Sequence, residues 1–241
     1  MTKGVTIYFM RHGETIFNRY SRMQGWSDMP LTKEGRLDAI RSGLGMKNKK
    51  FDYVYTSDLR RTIETAQLFL RDNQYRDGLT LQMMPEFREV FFGSLEGLDA
   101  IHTWEELYKT LQISFDIRDG RSVQQELNGL KELDPDHLAE NFVEFWSRVE
   151  KGLIKLINRH RDSEQTILVV SHGMTIRNIL HELIPDFALS EPIMNSSLSI
   201  VEYRDGVYHL KGLNETHHFV HRNEAMEQPF ELLPMKLDHI E

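Results

Sequence analysis

The stretch YFMRHGETIFN, residues 8–18, decides how this chain folds. An apolar run, Val5 to Met10, breaks off in Arg11-His12-Gly13-Glu14. A short apolar run rich in β-branched and aromatic residues, closed by a glycine turn, reads as a buried strand. Its tip carries an arginine and a histidine side by side. In open α/β sheets, the carboxyl ends of strands are where ligands sit. The same plan returns in LVVSHGMT, residues 168–175: apolar strand, polar residue, histidine, glycine, helix. The glycine after each histidine permits a tight turn and close approach of a ligand. The helix after each turn is expected to aim free N–H groups at one spot, which suits an anion. One strand-end histidine is most simply a structural residue. Two in matching contexts point to a shared site.

Working outward, Thr32 is the expected N-cap of a helix with Leu37, Ile40 and Leu44 at helical spacing, ending at Gly43 and Gly45. Phe51–Thr56 reads as a second strand, and Ser57 as the cap of a long helix whose apolar positions include Leu59, Ile63, Ala66, Leu68 and Leu70. Leu79–Met84 offers a third strand. Residues 98–138 mix short amphipathic pieces with charged turns and read as a helical insertion over the sheet, within one domain spanning 1–241. His137–Arg161 reads as one long helix with Phe142, Phe145, Trp146, Val149, Leu153, Leu156 and Ile157 on one face. Thr166–Val170 is a strand, and a helix follows His172 as far as Leu183. Ser197–Tyr203 and Val207–Leu213 form a hairpin around Asp205-Gly206. Residues 222–241 read as an irregular polar tail, of no assignable role. Strands alternating with helices imply an α/β fold. The fold class expected is a three-layer α/β/α sandwich on a mostly parallel sheet, made mixed by the final hairpin.

The 241 residues are 40% hydrophobic and 27% charged, enough to bury a core. The net charge of −8 argues against nucleic acid as a partner, since such binders carry a basic face. An anionic substrate then needs a local basic pocket. No apolar stretch reaches the roughly 18 residues of a membrane span, so no membrane partner is expected. The N-terminal MTKGVTIYFMRHG lacks the long apolar centre of a signal peptide, and the chain has no cysteine. The cytoplasm is the expected location. Oligomeric state is not legible.

Five segments, in order, resemble the histidine phosphatase superfamily, also called the phosphoglycerate mutase-like family: RHGETIFN, QGWSDMPLTKEG (24–35), TSDLRRTIETA (56–66), FREVFFGSLEG (87–97) and VVSHGMTIRNIL (169–180). The resemblance covers most of the chain. It implies phosphorylation of His12, phosphate-binding guanidinium groups at Arg11 and Arg61, a proton donor at Glu89 and a second histidine at His172. On the residues alone, Arg60 competes with Arg61, and Glu86 and Glu96 compete with Glu89; the family register selects among them. Asn18, Gln24, Gly25 and Gly173 are expected to contact the phosphate or its ester.

Phosphoryl transfer needs in-line positioning and positive charge on the equatorial oxygens. No cluster of Asp ligands occurs in the matching segments, so no metal and no cofactor is expected, and the two arginines take that role. A neutral imidazole attacks phosphorus once its other nitrogen is held as a donor, expected here from a backbone carbonyl. His172 is expected to add a third donor, protonated once phosphate is bound. His217, His218 and His221 in NETHHFVH cluster without a matching set of acidic or Cys partners, and no metal is assigned to them. Asn214 and His218 instead match a segment of the phosphatase branch. The sequence AEN at 139–141 departs from a Gly-Glu-Ser pattern of the family and leaves the part played by Glu140 open.

The expected function is metal-independent hydrolysis of a small phosphorylated metabolite through phospho-His12. The first alternative is a cofactor-dependent phosphoglycerate mutase, and the second a non-catalytic phosphate-ligand sensor. The insertion holds only Lys109, Arg118, Arg121 and Lys131 as cations, which favours phosphatase over mutase. Trp104, Tyr108, Phe115 and Ile117 form either an apolar lid, suited to hydrophobic or aromatic esters, or lid core. The physiological ester is not legible.

Overall fold

Strand β1 (Val5–Arg11) alternates its side chains between two hydrophobic layers, and this alternation builds the molecule. The computed structural model describes residues 3–112, 123–185, 187, 192–221, 223 and 235–240. Val5, Ile7 and Phe9 face one layer, with α6 (Phe142–His160) and α7 (Gly173–Leu183). Tyr8 and Met10 face the other, with α3 (Arg60–Leu70), on which α2 (Lys33–Gly45) packs. Both faces of the strand are covered, which is why the run is apolar throughout rather than alternating.

The remaining strands are β2 (Tyr53–Thr56), β3 (Thr80–Met83), β4 (Thr166–Ser171), β5 (Leu198–Arg204), β6 (Val207–Glu215) and β7 (Lys236–His239). They form one sheet in the order β6-β5-β1-β4-β2-β3-β7. The pairs β1/β4, β4/β2, β2/β3 and β3/β7 are parallel; β1/β5 and β5/β6 are antiparallel. This is the expected mixed, mostly parallel sheet. The hairpin turns at Asp205-Gly206, both with positive φ.

Three boundaries differ from expectation. The long helix α6 starts at Phe142, not His137, because Asn141 caps it in a reciprocal pair with Glu144. The preceding turn wraps around the buried Asp134 carboxylate, which accepts from the amides of Asp136, Leu138 and Ala139. Ser57 does not cap α3: its hydroxyl lies against His172, and the carboxylate of Asp28 takes the Arg60 amide at 2.6 Å instead. The tail is not wholly irregular, since β7 adds a parallel strand beside β3. Its four residues are exposed and all but Leu237 are polar, so no apolar pattern betrays them; the open edge of β3 orders them.

Short helix α1 (Ile16–Arg19) follows β1. The insertion contributes α4 (Ala100–Leu111) and α5 (Val123–Leu133). Leu107, Leu127 and Leu130 join the same buried cluster as Phe145 and Val149, so the insertion shares the core of that layer. Tyr108 donates to the buried Glu126, which pairs with Arg177 of α7 at 2.9 Å. Phe115, Ile117, Arg118 and Arg121 lie outside the described residues. Among the described residues, no helix is long and apolar enough to cross a membrane.

Candidate active site

Register explains the repeated strand–His–Gly plan. β1 and β4 are parallel neighbours with Arg11 opposite Ser171, and the His12 amide donates to the Ser171 carbonyl. The two histidines are therefore adjacent, their ring centroids 5.2 Å apart. His12 is 3% exposed. Its Nδ1–H donates to the Gly13 carbonyl at 2.8 Å, which leaves the Nε2 lone pair for chemistry, as expected. Burial, then the charges of Arg61 and Arg11, push its pKa well below the usual histidine value. Asn195 donates to the His12 carbonyl at 2.8 Å and fixes the turn from outside.

Arg61 is fully buried on the first turn of α3. It donates to the carbonyls of Ser27 and Gly25, to Asp28 and to His172 Nδ1 at 3.0 Å. Arg11 donates to the Ile193 carbonyl. In both guanidinium groups, buried Nε has no hydrogen-bond partner. A buried N–H left unpaired costs free energy, so two of them flanking one imidazole mark where an anion is meant to sit.

His172 accepts from Arg61; the protonated donor expected of it belongs to the phosphate-bound state. A guanidinium only donates, so His172 Nδ1 accepts from Arg61, and Nε2–H must then donate to Ser57 Oγ at 2.8 Å. Burial, followed by the Arg61 charge, lowers its pKa well below the usual value. The ring is a neutral brace for Arg61. Protonation would require the added negative charge of a bound phosphate.

The helix N-termini behave otherwise than expected. The second and third amides of α7, on Met174 and Thr175, donate to the carboxylate of Glu89 at 3.1 and 3.0 Å, and the Val90 amide adds a third bond at 3.1 Å, while the Thr175 hydroxyl donates to the Arg88 carbonyl at 2.8 Å. The start of α1 is closed by a capping box of Thr15 and Asn18. The Met174 and Thr175 amides thus hold a side chain, and the formal positive charge for an anion comes from the guanidinium groups. Glu89 is nevertheless where the family register put it, lining the same cleft as Arg11 and Gly173. A Cβ at Gly173 would lie 3.2 Å from the free Arg11 Nε, so glycine keeps that donor open.

Gly25 is scaffold rather than ligand. Its amide donates to Glu96 and its carbonyl accepts from Arg61, and an added Cβ would collide with the Val90 carbonyl. Glu96 also accepts from the Trp26 and Ser27 amides and so shapes the whole 25–27 turn. Gln24 lines the cleft and accepts from Thr15 Oγ1. Asn18 spends its carbonyl oxygen on the Thr15 amide. Asn214 staples residues 192–194, accepting from the Met194 amide and donating to the Pro192 carbonyl, while His218 bonds Ser42. Among the described residues, no group of three or more His, Asp or Glu is placed to hold a metal ion.

The cleft, about 230 Å³, continues away from Arg11 and Glu89 between Phe92, Trp104 and Met174. Trp104 thus faces the cleft, whereas Tyr108 is lid core. Arg22 and Arg177 also line it. These two cations lie outside the insertion, and reading charge by insertion alone missed them. Asp28, Ser57 and Asn195 were missed as well. Asp28 sits inside a recognised motif, but nothing in a sequence says whose amide or guanidinium it meets.

The family profile of the histidine phosphatase superfamily (branch 1) matches residues 7–216. A 2,3-bisphosphoglycerate-dependent phosphoglycerate mutase of Hamiltonella defensa is 28% identical, over 80% of this chain and 82% of that one. A solved phosphoglycerate mutase from Bacillus anthracis superposes with a TM-score of 0.83 at 30% identity, over 90% of this chain and 96% of that one. A putative alpha-ribazole-5'-P phosphatase from Escherichia coli gives 0.67 at 26% identity, over 88% and 97%.

Proposed function

The chain belongs to the histidine phosphatase superfamily (branch 1), and from that premise we propose that it is a metal-independent phosphomonoesterase working through phospho-His12. One observation carries this reading: a buried, neutral imidazole with a free Nε2, flanked by two guanidinium Nε–H groups that have no partner. Arg11 and Arg61 take the equatorial oxygens and supply the charge that phosphoryl transfer requires. His12 Nε2 attacks phosphorus as the ester P–O bond breaks, and Glu89 gives its proton to the leaving oxygen. Glu89 then takes a proton from the attacking water as the P–N bond breaks, returning His12 neutral. Phe92, Trp104 and Met174 suit a leaving group with an apolar or aromatic part.

A phosphoglycerate mutase is the second reading. Arg22 in the cleft favours it, because a mutase must hold an acidic acceptor in place of water, whereas Arg177 beside it is already paired with Glu126. The test is incubation with p-nitrophenyl phosphate and with 3-phosphoglycerate, each with EDTA. Hydrolysis that disappears in His12→Ala, together with an acid-labile phosphoenzyme in the parent chain, supports the phosphatase. Isomerisation primed by 2,3-bisphosphoglycerate replaces it with the mutase. No turnover and no phosphoenzyme refute both and leave a phosphate sensor.

A further inference from the structure

We propose that Arg148 is the positioning residue of the proton donor Glu89, acting through the main chain of the segment that carries it; the inference rests on the proposed role of Glu89. Residues 86–91 begin within a single short turn at Pro85–Phe87 and belong to no strand or long helix. Their backbone polar groups therefore need partners from elsewhere. One guanidinium supplies partners for three of the carbonyls. From α6, Arg148 donates to the carbonyls of Glu86 at 2.9 Å, Arg88 at 3.1 Å and Glu89 at 3.1 Å. Its remaining N–H groups make a forked pair with Glu140, at 2.9 and 2.7 Å. Glu140 in turn accepts from the Phe91 amide at 3.0 Å, and its own amide donates to the Phe91 carbonyl. The carbonyl of Glu89 receives a second bond, from Trp26 Nε1 at 2.9 Å.

Glu89 is thus anchored at both ends. Its carboxylate is tied to the start of α7, and its carbonyl to α6 through Arg148. Three carbonyls converge on one guanidinium, and Glu89 itself lines the cleft. Arg148 does not line the cleft. Its direct contact with the catalytic groups is with the Glu89 main chain; its charge also reaches His172, and Arg148→Lys keeps that charge. This also settles the open position at 139–141: Glu140 holds the guanidinium in place. A lysine has neither the planar fork nor enough donors for three carbonyls and a carboxylate. Misplacing a reacting group by about 1 Å costs on the order of 10²-fold in rate, and a positioned general acid contributes roughly 10²–10⁴-fold.

The experiment compares leaving groups in a single turnover of the full chain. p-Nitrophenolate leaves without a proton, whereas phenolate and alkoxides need one. For Arg148→Lys, release of phenol from phenyl phosphate is expected to fall by roughly 30- to 100-fold, and release of p-nitrophenolate by less than about 3-fold. Inhibition by inorganic phosphate is expected to stay within about 2-fold, because Arg11, Arg61 and His12 are untouched. Added guanidinium ion is expected to restore part of the phenyl phosphate rate in Arg148→Gly. Equal losses on both esters, or weakened phosphate binding, overturn the proposal by making Arg148 a general structural residue. Should Arg148→Lys not fold, Glu140→Gln replaces it, since it releases the guanidinium without emptying its space. A second readout is independent of activity. Amide exchange across 86–92 is expected to accelerate by at least about 10-fold in either variant, with β1 and β4 unchanged. If the parent chain cleaves no ester, the phosphatase reading fails and exchange alone decides: unchanged protection at 86–92 refutes the positioning role.

Discussion

At the scale of single residues, the site is a contrast between polar atoms that are satisfied and those that are not. His12 Nδ1, both nitrogens of His172 and the Glu89 carboxylate are all engaged within the protein. The buried Nε groups of Arg11 and Arg61 are not. Because the pKa of His12 is pushed well below 6.5, its imidazole stays neutral at pH values where an exposed histidine would be charged. The acid limb of kcat/KM for p-nitrophenyl phosphate, corrected for the ester's own ionisation, is therefore expected below about pH 6.5. A limb at or above that value would show that His12 is not the neutral nucleophile. Away from the site, Asn178 on α7 is fully buried, and neither end of its amide has a partner. Asn178→Leu is expected to raise stability by about 1 kcal/mol, read from the denaturant midpoint, because an unpaired buried amide is replaced by an apolar group of similar size. A drop would reveal a bridging water that the amide needs.

At the scale of elements, the decisive contacts join pieces remote in sequence. Asp28 caps α3 through the Arg60 amide and holds the side chain of Arg61 at 3.3 Å, so one carboxylate sets both the helix start and the phosphate-binding arginine. Asp28→Ala is expected to cost about 1–2 kcal/mol as a lost cap and to weaken inhibition by inorganic phosphate. Asp28→Asn keeps the cap acceptor and loses the charge, so its phosphate inhibition is expected to fall between the two. Equal phosphate affinity in all three proteins would remove Asp28 from the site. The apolar periodicities of α3 and α6 were legible because each helix packs one face on the sheet. The position of α6's start was not. It depends on Asp134 gathering the amides of the preceding turn, a fact of folding rather than of spacing.

At the scale of the whole molecule, four histidines are held neutral by burial: His12, His160, His172 and His218, the last pushed down to about 4. The folded pKa of each lies below the ordinary 6.5, so below that pH the unfolded chain binds more protons than the folded one. Stability is expected to be full above about pH 6.5 and to decline on acidification, over a window that for His218 ends near 4. Each such group adds a slope of up to about 1.4 kcal/mol per pH unit. Denaturant midpoints measured across this range check the sign, and a flat profile would contradict it. The sequence by itself determined the three-layer plan, the succession of β1 to β6 along the chain and the placement of Arg11, His12 and His172 at strand ends; Arg61 and Glu89 were singled out by the family register. Arg11, His12 and His172 sit at strand ends, where apolar runs and turn glycines mark the boundary. Only the tertiary structure decided that His172 braces Arg61, that the α7 amides hold Glu89 and that Glu96 shapes the Gly25 turn. It also put β7 on the edge of β3 and added Arg22 and Arg177 to the cleft. The reason is physical: hydrophobic periodicity is a property of neighbouring residues, whereas a hydrogen bond is assigned by whichever donor and acceptor packing brings within about 3 Å.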